Sequence, residues 1–273
     1  MIEVKHISKG YCEKVVLDNV TLQFPVGKIT SLVGSNGAGK STLLSIMSRV
    51  LQQDGGEVLL HGKNILDYKN KALAQQLSIL KQFNHIGLRL TVRELVSFGR
   101  FPYSEKRLKA EDLAMVDKAI RFLDLEDLAD AYIDELSGGQ KQRAYLAMVV
   151  AQDTDYIMLD EPLNNLDMKH SVQIMKTLRK LSDELGKTVI IVLHDINFAS
   201  HYSDHIIALK QGEVIHSGAT DDIICTDILK DIFDISFSVT EFNGKKVCNY
   251  FGDMCGQQGE INNAKLSIKG CPK

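Results

Sequence analysis

The stretch that most limits what this chain can fold into is Ile29 to Thr42, ITSLVGSNGAGKST. A short run from Ile29 to Val33 enters a glycine-rich turn, which ends in Lys40, Ser41 and Thr42 ahead of the helix-like LLSIMSRVL. The register G-x-x-x-x-G-K-S is filled by Gly34, Gly39, Lys40 and Ser41, the P-loop pattern. Small residues let consecutive backbone N–H groups turn inward as an anion-binding nest, and the following helix points its positive dipole end at the same spot. Lys40 adds a point charge for outer phosphates, and the Ser41 hydroxyl can ligate Mg²⁺.

A second constraint comes from Tyr156-Ile-Met-Leu-Asp160-Glu161, four apolar residues followed by two carboxylates, which predicts a buried parallel strand ending in acids. Unpaired buried charge is costly, so two adjacent acids at a strand end imply work at the sheet edge. Asp160 can hold Mg²⁺ opposite Ser41, leaving Glu161 to face an attacking water. Thr188 to Leu193 predicts another buried strand, with His194 and Asp195 at its C-terminal end, where ligands collect in open α/β sheets. Gln82 has the same position after a strand expected over Leu77 to Leu80.

Around these elements the N-terminus alternates apolar and polar residues over Ile2 to Ile7 and Val16 to Phe24, predicting antiparallel strands about a turn that holds Gly10 and Tyr11. Glu57 to Leu60 predicts a short strand closed by His61-Gly62. From Phe83 to about Gln152 helical patterns take over. Leu113, Val116, Ile120 and Leu123 recur at helical spacing, and Thr91 with Glu94 offers a capping box. Within this insert Lys81 to Lys109 carries seven Lys/Arg against Glu94 and Glu105, with Phe98, Phe101 and Tyr103 interleaved. Two readings stay open for it: a solvated helical face, or a docking surface for another protein.

Leu136-Ser-Gly-Gly-Gln140 opens a helix through Arg143, Leu146 and Val150. Ser137 is an N-cap residue type, and the paired glycines leave the first helical N–H groups uncovered, so two readings stay open here: an ordinary helix start, or a second helix-N-terminal phosphate site. Ile174, Leu178, Leu181 and Leu185 form the apolar stripe of a later helix ended by Gly186, and Ile206 to Ser217 predicts a hairpin around Gln211-Gly212. His201 and His205 stand at i, i+4 but lack a third ligand, so they are expected as surface residues. Ser236 to Glu241 is the last expected strand. From Phe242 the pattern fades into Asn, Gly, Lys and Gln, predicting a poorly anchored tail.

A net charge of −3 gives no electrostatic reason to expect nucleic acid as a partner. No apolar run approaches the roughly 18 residues of a membrane-spanning helix, and MIEVKHISKG has no signal-peptide core. A cytosolic protein that reaches a membrane only through a partner is therefore expected. Cys12, Cys225, Cys248, Cys255 and Cys271 contain no C-x-x-C and read as free thiols in a reducing compartment.

P-loop, LSGGQ, Asp160-Glu161 and His194 stand in a fixed order, and over about residues 1–241 the chain resembles an ATP-binding cassette (ABC) protein, the nucleotide-hydrolysing subunit of an ABC transporter. LSGGQ, twenty residues ahead of Asp160, is the most specific element of the resemblance. It implies an α/β fold: a P-loop NTPase core with a mainly parallel sheet, an N-terminal antiparallel β subdomain and a helical subdomain inserted at about 83–152, with 242–273 as a C-terminal extension.

The resemblance also implies roles. Tyr11 would stack on adenine, and Gly34, Ser35, Asn36, Gly37, Ala38, Gly39, Lys40, Ser41 and Thr42 would cradle the phosphates. Gln82 would sense Mg²⁺ and water, Asp160 would support Mg²⁺, Glu161 would be the catalytic base and His194 a switch touching the γ-phosphate. Asp167 would lie at the interface of a head-to-tail homodimer. There Ser137, Gly138, Gly139 and Gln140 of one chain meet ATP held by the other, and the helical subdomain docks on a polytopic permease at the cytoplasmic face of the membrane. An extracytoplasmic binding protein would act indirectly. One departure is Asn164-Asn165-Leu166-Asp167, where many members have Ser-Ala-Leu-Asp. TVRELVSFGRFPY and EPLNNLDMKH resemble the importer branch for ferric siderophores, haem and cobalamin, with ferric siderophores favoured. A ribosome- or DNA-acting ABC protein is the more distant alternative.

Overall fold

A computed structural model describes residues 1–82, 88–104, 107–164 and 166–251. Glu105, Asn165, Cys255 and Cys271 lie outside the described residues. The chain begins with β1 (Ile2–Tyr11) and β2 (Lys14–Phe24), antiparallel as expected from their alternation. They turn at Cys12-Glu13 instead of Gly10, so Tyr11 closes β1 opposite Lys14. Cys12 takes the left-handed backbone (φ 52°) that the tight connection requires. β3 (Ile29–Val33), wholly buried, leads through the P-loop into α1 (Lys40–Met47). β4 (Gly55–Leu60) and the short β5 (Lys63–Asn64) join β1 and β2 in a four-stranded antiparallel sheet ordered β2-β1-β4-β5.

After α2 (Asn70–Ala74), β6 (Leu77–Leu80) returns to the main sheet. α3 (Val92–Ser97), α4 (Ala110–Phe122) and α5 (Gly138–Ala151) make up the helical insert. Thr91 and Glu94 form the expected reciprocal cap on α3. β7 (Tyr156–Asp160), α6 (Met168–Asp183), β8 (Thr188–Val192), α7 (Ile196–Tyr202), β9 (His205–Lys210) and β10 (Glu213–Ala219) complete the core. The six-stranded sheet runs β10-β9-β3-β8-β7-β6, parallel from β9 to β6, with β10 antiparallel at its edge. One apolar core lies between this sheet and the helices, and a second between it and the antiparallel sheet.

Register assembles the site. Leu80 pairs with Leu159, Asp160 with Val192, and Leu32 with Val192. The chain therefore leaves β6, β7, β8 and β3 at one edge, delivering Gln82, Asp160-Glu161, His194 and the P-loop to neighbouring positions.

Three of the seven cations in the basic stretch, Arg89, Arg93 and Arg100, are held in internal ion pairs. Arg89 reaches Asp134 and Glu135, Arg93 reaches Asp117, and Arg100 reaches Asp112. Every one of these acids lies beyond Lys109, which is why the window alone looked uncompensated. Arg100–Asp112 is buried, at 9% and 6% side-chain exposure, and Arg100 also donates to the Ala151 carbonyl at the end of α5. The Lys109 backbone N–H, followed by the Arg100 guanidinium, holds the Asp112 carboxyl below its ordinary range against the opposing pull of burial. Its folded value being depressed, the pair contributes fully at neutral pH and down to about pH 4, and is lost in more acid solution. Asp112→Ala, leaving Arg100 buried without its partner, is expected to cost about 3 kcal/mol at pH 7. Urea titration checks this, and an unchanged midpoint contradicts it.

Two expected stripe residues stay outside the cores: Leu113, in the first turn of α4, and Leu185, beyond the end of α6, are exposed. The expectation of a fading pattern from Phe242 does not hold for residues 242–249. β11 (Ser238–Phe242) and β12 (Lys245–Asn249) form a hairpin around Asn243-Gly244, both at positive φ. Asn-Gly is the two-residue turn that matches strand twist, so what reads as loss of pattern is the turn itself. α9 (Thr226–Phe233), following the one-turn α8 (Thr220–Ile223), precedes the hairpin. β12 is pinned to α7: Asn197 exchanges hydrogen bonds with the Cys248 backbone at 2.8 and 3.1 Å, and Ser200 donates to the Lys246 carbonyl at 2.6 Å. Burial pushes the Cys248 thiol up to about 11, so it is protonated and inert at neutral pH.

Candidate functional site

Gly34 has φ 136°, and a Cβ there would lie 2.1 Å from the Leu209 carbonyl oxygen. Gly39, at φ 100°, leaves no room against Leu17 and Val16 of β2. Any side chain at either position would push the loop off the strands that shape it. Ser35, Asn36 and Gly37 are exposed, whereas Ala38, Gly39 and Lys40 are buried. The N-terminus of α1 has no side-chain cap, so its leading N–H groups face the loop's concavity. Lys40 donates to the carbonyls of Gly34 and Ser35 at 2.8 and 2.9 Å, holding a positive charge inside the loop. Burial lowers the Lys40 pKa, while Glu161 and Asp160 act to keep it charged.

The Ser41 hydroxyl donates to Asp160 Oδ1 at 2.7 Å, joining α1 to the end of β7. Burial pushes the Asp160 carboxyl above its usual range, with the Ser41 hydrogen bond opposing that shift. Ser41 and Asp160 share an open cleft with Tyr11, Thr42, Lys81 and Gln82. Tyr11 is half exposed there, beside the Lys9 ammonium, and can present its ring to a flat base. Hydroxyl, carboxylate and amide oxygens form a hard-oxygen donor set, which fits Mg²⁺ held together with substrate phosphates.

Glu161 follows at φ 51°, a left-handed conformation that turns the chain sharply off β7. Its carboxylate is only 12% exposed and is saturated with donors. Gln82 Nε2 donates to Oε2 at 2.6 Å, Asn164 Nδ2 donates to the same oxygen, and His194 Nε2 lies 2.6 Å from Oε1. The structure thus brings Gln82, Glu161 and His194 into one network, as their strand-end positions require.

Ser137 caps α5: its hydroxyl accepts from the Gln140 N–H at 3.3 Å, while Gln140 Oε1 accepts from the Ser137 N–H at 2.8 Å. Gly138 is exposed, and Gly139 is buried beneath the His170 ring, which a Cβ would meet at 2.6 Å. Asp167 caps α6 and accepts from the His170 N–H at 2.8 Å, with His170 Nδ1 at 2.7 Å. Among the described residues no hydrogen bond or ion pair joins Ser137–Gln140 to the P-loop. None of Ser137–Gln140 lines the cleft shared by Ser41 and Asp160.

Asn164 and His170 are the participants that sequence reasoning missed. Asn164 had one signal, its departure from the usual Ser. His170 reaches Gly139 from 31 residues away, a contact no local pattern encodes. No cluster of three or more metal-ligating side chains occurs among the described residues. His205 begins β9, half-buried with Nδ1 unpartnered, and is not the surface residue expected.

An anion cradle closed by a buried lysine and set against two strand-end carboxylates defines the class: a P-loop nucleotide-binding protein. The chain belongs to the ABC transporter family, which matches it over residues 17–164, and as a member it binds and hydrolyses ATP. It is 54% identical to the petrobactin import ATP-binding protein YclP of Bacillus subtilis (strain 168) over 251 residues, covering 92% of this chain and 100% of that protein. The ferric enterobactin transport ATP-binding protein FepC of Escherichia coli (strain K12) is 38% identical over 233 residues, covering 85% and 86% of the two chains. Among solved structures, the dimeric ATP-binding cassette MJ0796 in a post-hydrolysis state with ADP and Pi matches with TM-score 0.72 at 33% identity, covering 81% of this chain and 99% of that one.

Proposed function

We propose that this chain is the ATP-hydrolysing subunit of an ABC importer that takes up a ferric siderophore. The single observation that carries the cargo is the 54% identity with a petrobactin import ATP-binding protein along that protein's whole length. ATP would enter the cleft with its base on Tyr11 and its phosphates in the loop from Gly34 to Thr42. Lys40 would neutralise the outer phosphates. Ser41 and Asp160, with Gln82, would hold Mg²⁺, which when bound supplies further charge neutralisation at the β- and γ-phosphates. Glu161 then polarises the attacking water, and His194 donates toward the γ-phosphate.

That Ser137–Gln140 do not line the cleft of Ser41 and Asp160 supports a head-to-tail homodimer in which each nucleotide is completed by the other chain. Asp167 and Gly139, joined through His170, would meet the partner's nucleotide as a unit. No helix among the described residues is long and apolar enough to cross a membrane. Attachment to the cytoplasmic face would therefore run through a polytopic permease docked on the helical insert, where Leu88 and Phe101 are exposed beside α3. An extracytoplasmic binding protein would deliver the cargo without touching this subunit.

Deleting the gene should abolish uptake of ferric petrobactin, or of a related ferric siderophore, and restoring the wild-type chain should recover it. Unchanged uptake of ferric siderophores, with loss of haem or cobalamin uptake instead, would reassign the cargo while leaving the ATPase role in place.

A further inference from the structure

The three donors on Glu161 differ in how they are held. Gln82 and His194 follow β6 and β8, strands other than the β7 that carries Glu161. Asn164 belongs to the same tight turn as the carboxylate. Its backbone N–H donates to the Glu161 carbonyl at 3.2 Å, closing Glu161-Pro162-Leu163-Asn164, and its side-chain amide donates to Glu161 Oε2. Two hydrogen bonds from one residue fix both the backbone and the carboxylate. Glu161 sits at positive φ directly after buried Asp160, whose negative charge repels it. A neutral amide donor anchors the carboxylate there without adding to that repulsion. A serine hydroxyl ends one bond closer to the backbone and falls short of the same contact.

We propose that Asn164 is the positioning residue of the general base. It keeps Oε2 of Glu161 anchored when Gln82 and His194 turn toward the nucleotide, so that Oε1 stays aimed at the attacking water. Asn164 acts through Glu161 and does not touch ATP. The inference rests on the reading of Glu161 as the base.

The test is steady-state ATPase activity of the full chain with N164L, which keeps the size of the side chain but removes the donor. A kcat about 10- to 100-fold lower is expected, the scale of a misplaced catalytic group, with the KM for ATP within about twofold. Single-turnover hydrolysis supplies the readout that a merely structural role would not give: E161Q/N164L should be no slower than E161Q alone, because the anchored group no longer acts as a base. Should N164L fail to fold, N164A, which also removes the donor, carries the same expectations. Wild-type kcat in the folded variant, or an equal slowing in both backgrounds, overturns the proposal. An inactive E161Q beside a fully active N164L removes Asn164 alone, whereas wild-type turnover in E161Q removes the base assignment and this inference with it.

Discussion

Glu161→Gln should bind ATP as the wild type does and fail to hydrolyse it, with kcat reduced about 10²- to 10⁴-fold. The substitution preserves side-chain length and removes only the capacity to take a proton. At this position that distinction is sharp, because the carboxylate is nearly buried, its two oxygens are addressed by Gln82, Asn164 and His194, and it acts on the P-loop only through its charge, which helps keep Lys40 ionised. Removing a negative charge beside Asp160 also relieves repulsion toward the triphosphate, so nucleotide affinity should hold or rise. If the proposed ATP-completed homodimer is released by hydrolysis, the variant should accumulate as an ATP-bound dimer. Size-exclusion chromatography with Mg-ATP and with Mg-ADP reads this directly: a larger species with ATP alone is expected. Wild-type turnover, or a monomer under both conditions, counts against Glu161 as the base.

Much of that site was legible before any coordinates. The runs Tyr156–Leu159 of β7 and Val189–Val192 of β8 are apolar on both faces, as strands buried between layers must be, so their ends could be located from composition alone. Once four strand ends fall on one sheet edge, parallel pairing brings Gln82, Asp160, Glu161 and His194 together without further information. What escaped depends on side-chain direction or distant packing. Asn164 bonds Glu161 because a left-handed residue turns the chain back on itself, and nothing in EPLNNLD announces that conformation. His170 covers Gly139 only because α5 and α6 start side by side. The Asn243-Gly244 hairpin was missed for a different reason: its signal is present, but the polar residues around it suggested a tail.

Lys40→Ala should do what Glu161→Gln does not: weaken nucleotide binding along with turnover. Lys40 is 4% exposed, and its ammonium is held by the Gly34 and Ser35 carbonyls, where an incoming phosphate would replace or share them. A charge-assisted hydrogen bond to phosphate is worth about 1.5–3 kcal/mol, so affinity for ATP should fall roughly 10- to 150-fold. The substitution releases two carbonyls, one on exposed Ser35, which water can satisfy, and one on buried Gly34, so far-UV circular dichroism must first show that the fold survives. Lys40→Arg separates charge from fit. The charge remains, but a planar guanidinium cannot occupy the space one Nζ takes between two carbonyls, so binding should stay weak. Calorimetric titration with ATP distinguishes these outcomes, and unchanged affinity in Lys40→Ala would contradict the P-loop assignment. Because one substitution removes the grip and the other only the chemistry, a dimer that forms with ATP in Glu161→Gln should fail to form in Lys40→Ala at the same nucleotide concentration. That contrast makes association depend on bound ATP, not on hydrolysis, as a site shared between two chains requires.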